Sequence, residues 1–129
     1  MIVAVGTDLV DVARLAEHLA RVPVLATRLY TPAELAHCAG REESLAARLA
    51  AKEAVLKALG SAVARHGRDT PPGWAMLGIE VVPGSRGAPQ LALHGVVARL
   101  ATELGITRWH LSLAHDGGLA QAFVLAEAG

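Results

Sequence analysis

The first half of the chain combines one apolar strand with several helical patterns. Residues 2–9 form a continuous apolar run rich in Ile and Val, which predicts a buried central strand. From Asp11 onward the apolar residues recur at helical spacing, and Pro23 ends or kinks this first helix. The longest helical pattern covers 43–59 and consists almost entirely of strong helix formers, with Gly60 as its predicted C-terminal cap.

A shorter helix between these two begins with a clear start signal. Thr31 is placed as the N-cap, Pro32 occupies the first helical position, and Glu34 follows three residues after the cap. Each of the three residue types favours its own position at a helix start, so the pattern predicts a helix that begins here.

The second half of the chain predicts mainly strands. Its predicted elements are a polar loop at 65–74, strands at 79–82 and 90–94 around a turn at 83–89, a helix at 95–104, and strands at 107–114 and 119–126. The full order is strand, helices, two strands, helix, two strands, which predicts a single α+β domain over residues 1–129. We expect the long helix to pack on a mainly antiparallel sheet.

The composition limits the partners, the assembly and the cellular compartment that we expect for this protein. The 129 residues include twelve basic and twelve acidic side chains, so no net charge draws the chain to nucleic acid or to an anionic membrane. Hydrophobic residues make up 53% and the mean hydropathy is +0.39, which indicates that some apolar surface is buried between subunits. Cys38 is the only cysteine, so we expect no internal disulfide and a small, packed side chain in a reducing compartment.

The N-terminal apolar run does not predict a targeting segment. It lacks a preceding basic region and is interrupted by Asp8, which favours a strand over a signal peptide. No stretch approaches the roughly 20 apolar residues that a membrane-spanning helix needs. We therefore expect a cytoplasmic protein that makes no membrane contact.

Asp8 is the most unusual polar residue, because it follows a strand predicted to lie in the core. A buried carboxylate without a partner is costly, so Asp8 needs a partner, a cation or a position at the edge of the fold. An alternative is that Asp8 caps the next turn or helix. Asp11 is better placed for that capping role, which leaves Asp8 freer.

On the long helix, Glu53 and Lys57 are four residues apart and therefore neighbours on one face. Their order suits a surface ion pair, yet Glu53 is the only acid between Glu43 and Asp69. If this helix meets the end of the first strand, the carboxylates of Asp8 and Glu53 can together hold a hard divalent cation.

The same helix carries three cations, Arg48, Lys52 and Lys57. Arg48 and Lys52 are four residues apart, and like charges at that spacing repel unless they face different ways or share an anion. A phosphate-rich ligand is one such anion.

Three further features invite a functional interpretation. His110 and Ser112 alternate onto one face of a predicted strand, but no third orienting group and no Gly-x-Ser-x-Gly elbow accompany them, so we discount a serine nucleophile. His115 lies where this strand gives way to a turn, a common place for a functional side chain. The turn at 85–89 can offer backbone N–H groups and Arg86 to a phosphate, or serve only as a hairpin turn. No histidine pair has the His-x-x-x-His spacing of a zinc site.

Together these segments resemble the 4′-phosphopantetheinyl transferases of the holo-acyl-carrier-protein synthase type. Residues 5–10 resemble the opening Gly-x-Asp motif of that family, and residues 48–60 resemble its Lys-Glu-Ala-x-x-Lys-Ala helix. Three further segments are similar to the family. Residues 28–34 resemble its Thr-x-x-Glu segment, residues 85–89 its Gly-x-Pro hairpin, and residues 110–115 its closing Ser-x-Ser/Thr-His strand. The likeness covers nearly the whole chain in the right order and spacing.

The resemblance implies an activity and an assembly. The donor would be coenzyme A, whose phosphopantetheine arm is moved to a serine of an acyl carrier protein with release of 3′,5′-ADP. Asp8 and Glu53 would hold Mg²⁺ against the pyrophosphate, and Lys57 would neutralise charge on the transferred or leaving group. The short members of the family imply a homotrimer, with each site shared across a subunit interface.

The resemblance also assigns roles to other residues. Those implied in coenzyme A binding are Arg48, Lys57, Gly60, Arg86, Pro89 and His110. Those implied in facing the acidic carrier protein are Arg14, together with Arg21 or Arg28. The candidate bases for the carrier serine are Glu53, acting through a metal-bound water, and His115.

Some residues depart from the family pattern. Ala114 stands where Ser or Thr is usual, Leu49 stands where an aromatic is common, and the loop at 61–76 is longer and richer in Pro. An alternative function is a non-catalytic module that binds coenzyme A or a carrier protein. A metal-dependent nucleotide hydrolase would need more acids around the cation than the sequence offers.

Overall fold

The computed structural model describes residues 1–72 and 74–129. Its elements are β1 (Ile2–Asp11), α1 (Val12–Arg21), α2 (Leu25–Leu29), α3 (Pro32–Cys38), α4 (Glu42–Arg65), β2 (Ile79–Pro83), β3 (Pro89–Leu93), α5 (Gly95–Glu103), β4 (Ile106–Asp116) and β5 (Leu119–Ala128). Short 3₁₀ turns precede β2 and join β2 to β3. This order confirms the predicted α+β class.

The main sheet has the strand order β1-β5-β4, and both of its pairings are antiparallel. A separate antiparallel hairpin is formed by β2 and β3. The predicted central position of β1 is wrong, because β5 lies in the middle and β1 at an edge. Alternate residues of β1 are buried against α4, while Val5 and Leu9 are exposed on the opposite, outer face of the sheet. The continuous apolar run therefore reflects two apolar faces, of which only one is covered within the chain.

The helix α4 packs against β1 and β5 and supplies a large part of the core. Its fully buried residues are mostly alanines: Ala46, Ala50, Ala51, Ala54, Ala58 and Ala62. The predicted end of this helix at Gly60 is wrong, since the helix continues to Arg65. Ala62 and Val63 are buried beyond that point, and their burial offsets the roughly 1 kcal/mol that a glycine costs inside a helix.

Two predicted helix starts are confirmed in atomic detail. The side chain of Asp11 caps α1 by accepting a hydrogen bond from the Arg14 N–H at 2.9 Å. Thr31 and Glu34 form a capping box at the start of α3, in which each side chain accepts from the backbone N–H of the other residue. Cys38, at the end of α3, is buried as expected.

The remaining predicted elements agree with the structure to within two residues. The short helix α2 (Leu25–Leu29) is an exception, since five residues are too few for a helical period to be recognised. The predicted loop at 65–74 begins one residue later than expected, because α4 includes Arg65. Residue 73 of this predicted loop lies outside the described residues. Among the helices that the structure describes, none combines the length and apolar character needed to cross a bilayer.

Candidate active site

A glycine sets the distance between β1 and α4. Gly6 faces α4 so closely that a methyl group added to it would overlap the carbonyl group of Ala54. Glycine is therefore required here for close approach of two backbones, not for an unusual backbone angle. Asp8 lies two residues further along the same face of β1, and this approach brings it to the turn of α4 that carries Glu53 and Lys57.

The Asp8 carboxylate is buried and only partly satisfied. Asp8 is 9% exposed, and its Oδ1 accepts a hydrogen bond from Lys57 Nζ at 2.5 Å. The Lys57 side chain is 60% exposed, so its ammonium group reaches the carboxylate from the solvent side. Oδ2 is buried and, while Glu53 is ionised, has no hydrogen-bond donor among the residues that the structure describes. A buried polar atom in this condition points to a partner that the chain does not supply.

Glu53 is the second carboxylate of the cluster. Its pKa is raised from 4.5 to about 7, first because its protonated form donates a hydrogen bond to Asp8, then because of burial and of the negative charge on Asp8. The charge of Lys57 opposes that rise, and the hydrogen bond to Asp8 raises the pKa of Lys57 in turn. When both carboxylates are ionised the cluster has two negative charges and one positive charge, so it favours the binding of a further proton or cation.

The donor set fits a hard divalent cation. Two carboxylates converge from β1 and α4, and one carboxylate oxygen has no other partner. The described residues contain no group of three or more His, Cys, Asp or Glu side chains arranged to hold a metal. A cation bound by Asp8 and Glu53 would therefore take its other oxygen ligands from water or a substrate, as Mg²⁺ commonly does.

A pocket of about 210 Å³ lies beside Glu53. It is lined by the ends of β1 and α1 and by the middle of α4, through Leu9, Val10, Asp11, Arg14, Leu15, His18, Leu49 and Glu53. Of the three arginines predicted to face a partner, Arg14 is thus placed next to the carboxylate cluster. Arg21 and Arg28 are exposed, at the end of α1 and in α2.

A larger pocket of about 570 Å³ lies over the first turns of α4. Arg48 lines it and is buried, with its Nε atom lacking a hydrogen-bond partner among the described residues and its Nη1 donating to the Ser44 carbonyl at 3.3 Å. Arg41 and His115 line the same pocket, as do the acidic residues Glu42 and Glu43. The pocket therefore contains charges of both signs, and Arg48, with its unsatisfied Nε, is the group best suited to a bound anion.

His115 lies at the start of α4, away from the carboxylate cluster. Its Nδ1 is 3.3 Å from Glu43 Oε2, and Glu43 precedes Glu53 by ten residues, about 15 Å of helix. The structure of one chain therefore joins His115 to the Arg48 pocket and not directly to Asp8. Glu43 was not predicted as a site residue, and only the fold reveals its pairing with a residue 72 positions later.

The sequence predicted that Lys52, like Arg48 and Lys57, could face a bound anion, but the structure places Lys52 elsewhere. It is fully buried, with Nζ 2.6 Å from Glu34 Oε1, and burial lowers its pKa. The sequence does contain a signal for this position, because Leu45, Lys52 and Leu59 recur every seven residues and so fall on one side of the helix. A lysine on an apolar side requires a buried acid, and Glu34 is that acid.

Besides Arg48, four of the residues implied in coenzyme A binding lie outside the carboxylate cluster. Gly60 is one turn beyond Lys57 on α4, with open space where a side chain would begin. Arg86 and Pro89 are in the β2–β3 hairpin, which packs against β4, the strand at the far edge of the sheet from β1. His110 projects from the outer face of the sheet, where its Nε2 is 2.7 Å from Glu127 Oε2.

Comparisons with known proteins agree with this architecture. A family model described as the 4′-phosphopantetheinyl transferase superfamily matches residues 4–125. The chain is 52% identical to the holo-[acyl-carrier-protein] synthase of Salinispora arenicola over 98% of its length and 99% of the relative's. The corresponding protein of Frankia casuarinae is 51% identical, with 98% of each chain covered.

Solved structures extend the similarity to the fold. The acyl carrier protein synthase (ACPS) of Mycobacterium tuberculosis superposes with a TM-score of 0.77 at 34% identity, covering 100% of both chains. The ACPS–CoA complex of Chronobacterium ammoniagenes gives a TM-score of 0.83 at 36% identity, covering 98% of this chain and 97% of the other.

Proposed function

Because the chain belongs to the 4′-phosphopantetheinyl transferase superfamily, we propose that it moves the 4′-phosphopantetheine group of coenzyme A to a serine of an apo acyl carrier protein. The relatives it matches are holo-[acyl-carrier-protein] synthases, and a similar structure is a complex with CoA. The single observation that carries the proposal is the cluster of Asp8, Glu53 and Lys57, with its unsatisfied buried carboxylate oxygen.

The proposed reaction is a phosphoryl transfer. The serine oxygen forms a bond to the phosphorus that carries the pantetheine arm, and the bond from that phosphorus to 3′,5′-ADP breaks. The serine proton passes to a base. Catalysis of such a transfer depends mainly on positioning and on neutralising charge.

The carboxylates and Lys57 divide these tasks. Asp8 and Glu53 would hold Mg²⁺, which when bound supplies positive charge to the pyrophosphate oxygens. Lys57 is exposed enough to contact a phosphate while its ammonium group stays hydrogen-bonded to Asp8. Glu53 is also a candidate base for the serine proton, because it lies beside Asp8 at the proposed site of transfer. His115, the other base suggested by the sequence, lies at the start of α4 and is not near this cluster within one chain.

The nucleotide end of coenzyme A is assigned to the Arg48 pocket. The free Nε of Arg48 offers a buried donor to a phosphate oxygen, and Arg41 and His115 line the same space. Gly60 leaves room beside Lys57 for the ligand. These features support contact with coenzyme A over several turns of α4.

Arg86, Pro89 and His110 are assigned to the site of a neighbouring subunit in a homotrimer. Their positions in one chain are remote from Asp8. The outer face of the main sheet supports such an assembly, because its apolar residues Val5, Leu9 and Phe123 are 44–61% exposed. Packing this face against further copies would bury it and carry His110 into an interface.

The acyl carrier protein is assigned to the α1 side of the site. Arg14 lies in the pocket beside Glu53, and Arg21 and Arg28 are exposed on the following elements. An acidic partner bound by these three arginines would present its serine next to the carboxylate cluster.

The test is a transfer assay with intact-protein mass measurement. The chain is incubated with coenzyme A, Mg²⁺ and apo acyl carrier protein, and the carrier is expected to gain one phosphopantetheine group. Glu53→Gln is expected to abolish the gain while the fold is retained. Glu103→Gln, which changes an exposed glutamate of α5, is the matched control and is expected to be active. No adduct on any carrier tried would reject the proposal, and binding of coenzyme A without transfer would favour a non-catalytic module.

A further inference from the structure

Lys52 and Glu53 are adjacent on α4 but enter opposite environments. Successive residues of a helix point about 100° apart, so the lysine is directed into the interior while Glu53 faces Asp8. Lys52 is 0% exposed. Its Nζ donates hydrogen bonds to the carbonyl groups of Ile79 at 2.6 Å and Met76 at 3.2 Å, besides its ion pair with Glu34.

Glu34 extends this network to two further elements. Its Oε2 accepts the N–H of Val81 in β2 at 2.9 Å, and its Oε1 accepts the N–H of Thr31 at the start of α3. The two buried side chains therefore connect α4 to α3, to β2 and to the 3₁₀ turn before β2. Both carboxylate oxygens and the ammonium group have partners, so the network is closed to external ligands.

The packing of α4 explains why such a network has a use. The buried side of the helix is mostly alanine, and methyl groups interlock with their neighbours less than larger side chains do. A smooth helix surface of this kind permits small rotations at little cost in packing. A buried ion pair adds little net stability compared with an apolar pair, and its best-supported use is to select one arrangement.

We propose that Glu34 and Lys52 are positioning residues that hold α4 in the rotation at which Glu53 meets Asp8. This inference rests on the proposed function, since the geometry it protects is that of the transfer site. Neither side chain touches the substrate. Tyr30 supports the same orientation of α4, because its Oη donates a hydrogen bond to the Leu45 carbonyl at 2.7 Å. Leu45 lies about two helical turns before Lys52.

The decisive variant is the double substitution Glu34→Gln with Lys52→Met. It removes both charges together, so no unpaired buried charge is left to unfold the protein. We expect the melting temperature to stay close to that of the wild type and kcat to fall roughly 10- to 100-fold, as for small misplacements of reacting groups. The KM for coenzyme A should change less than kcat, because small displacements affect the geometry of transfer more than they affect binding. The matched control removes an exposed ion pair, by Arg68→Met with Glu103→Gln, and should leave kcat and KM unchanged.

A spectroscopic measurement separates positioning from stability. The side-chain carboxyl ¹³C shifts of Asp8 and Glu53 are recorded at fixed pH in the metal-free protein. They should move in the double variant and stay unchanged in the control. Unchanged shifts together with an unchanged kcat per folded molecule would overturn the inference.

Two further outcomes are also decisive. If the double variant fails to fold, Glu34→Asp, which keeps both charges but shortens the carboxylate side chain, is expected to fold and to change the shifts and kcat in the same direction. Loss of the fold in both variants would assign the pair to stability and reject positioning. If the wild-type chain transfers no phosphopantetheine, the proposed function fails, but the ¹³C shifts still decide whether the pair orients Glu53.

Discussion

Two lysine–carboxylate pairs, whose lysines are five residues apart on α4, have similar distances and opposite surroundings. Lys52 and Glu34 are 2.6 Å apart, fully buried and closed by further hydrogen bonds. Lys57 and Asp8 are 2.5 Å apart, but the lysine is 60% exposed and one oxygen of Asp8 has no described partner. A third group, Glu53, crowds the second pair with another negative charge.

This contrast separates a structural pair from a functional one. Where every donor and acceptor is satisfied, the pair can only maintain the arrangement of its elements. Where like charges converge around an unsatisfied atom, the fold keeps an unfavourable arrangement that a ligand can relieve. Burial alone does not distinguish the two pairs, because Asp8 and Glu34 are both buried. The pairs differ in whether all of their donors and acceptors are hydrogen-bonded.

The largest expected effect comes from the open pair. Asp8→Asn should lower the transfer rate by about 10²–10³-fold or more, as the loss of one group that stabilises transition-state charge does in other enzymes. The fold should persist, since the substitution relieves the repulsion with Glu53. Initial rates from carrier mass spectra measure the effect. A rate within tenfold of the wild type would remove Asp8 from the site.

The next largest effect is the difference in the free energy of unfolding between variants of the two lysines. Lys52→Met leaves Glu34 buried without its cation and should lower the free energy of unfolding by about 3–5 kcal/mol. Lys57→Met removes a largely exposed side chain, and Glu53 can take up a proton to offset the lost charge beside Asp8, so its cost should be smaller, about 1 kcal/mol. Urea unfolding of both variants provides the measurement. Equal costs would contradict the distinction between a closed and an open pair.

A smaller effect tests the approach of β1 to α4. Gly6→Ala places a methyl group against the Ala54 carbonyl and should destabilise the chain by about 1–3 kcal/mol, with a lower transfer rate because Asp8 is displaced. Gly60→Ala is the matched control for stability. It has open space inside the helix and should gain about 0.5–1 kcal/mol. Thermal unfolding of the two variants should shift in opposite directions.

The smallest effect is a pH dependence of stability. The pKa of Glu53 rises from 4.5 to about 7 on folding, so between these values the unfolded chain loses its proton first and the folded state loses stability as pH rises. Glu53→Gln cannot ionise. Without divalent cations, this variant should melt a few degrees higher than the wild type at pH 8, a gain of about 1 kcal/mol after solvent screening. Calorimetry should show the difference vanishing below pH 4.5, and a difference independent of pH would contradict the shift.

Several features of the fold follow from local chemistry and were predictable. The caps at Asp11 and Thr31 depend on side chains and backbone groups within three residues. The strands and α5 follow from periodicity and turn residues, which also act over short distances. The proximity of Glu53 and Lys57 on one helix face needs only helical geometry. The family resemblance then joined Asp8 to this face across 45 positions of sequence, and the coupling of the two carboxylates agrees with that expectation.

The sequence by itself therefore determined the elements other than α2, their order and the residues of the open cluster. The tertiary structure decided which strand is central, how far α4 extends, and which of its lysines is buried. These outcomes depend on contacts between distant residues: Glu34 neutralises Lys52, Ala62 and Val63 carry the helix past Gly60, and β5 inserts between β1 and β4. Adjacent residues 52 and 53 have opposite roles because the interior lies on one side of the helix and Asp8 on another. Periodicity shows that two side chains point apart, but only packing shows what each one meets.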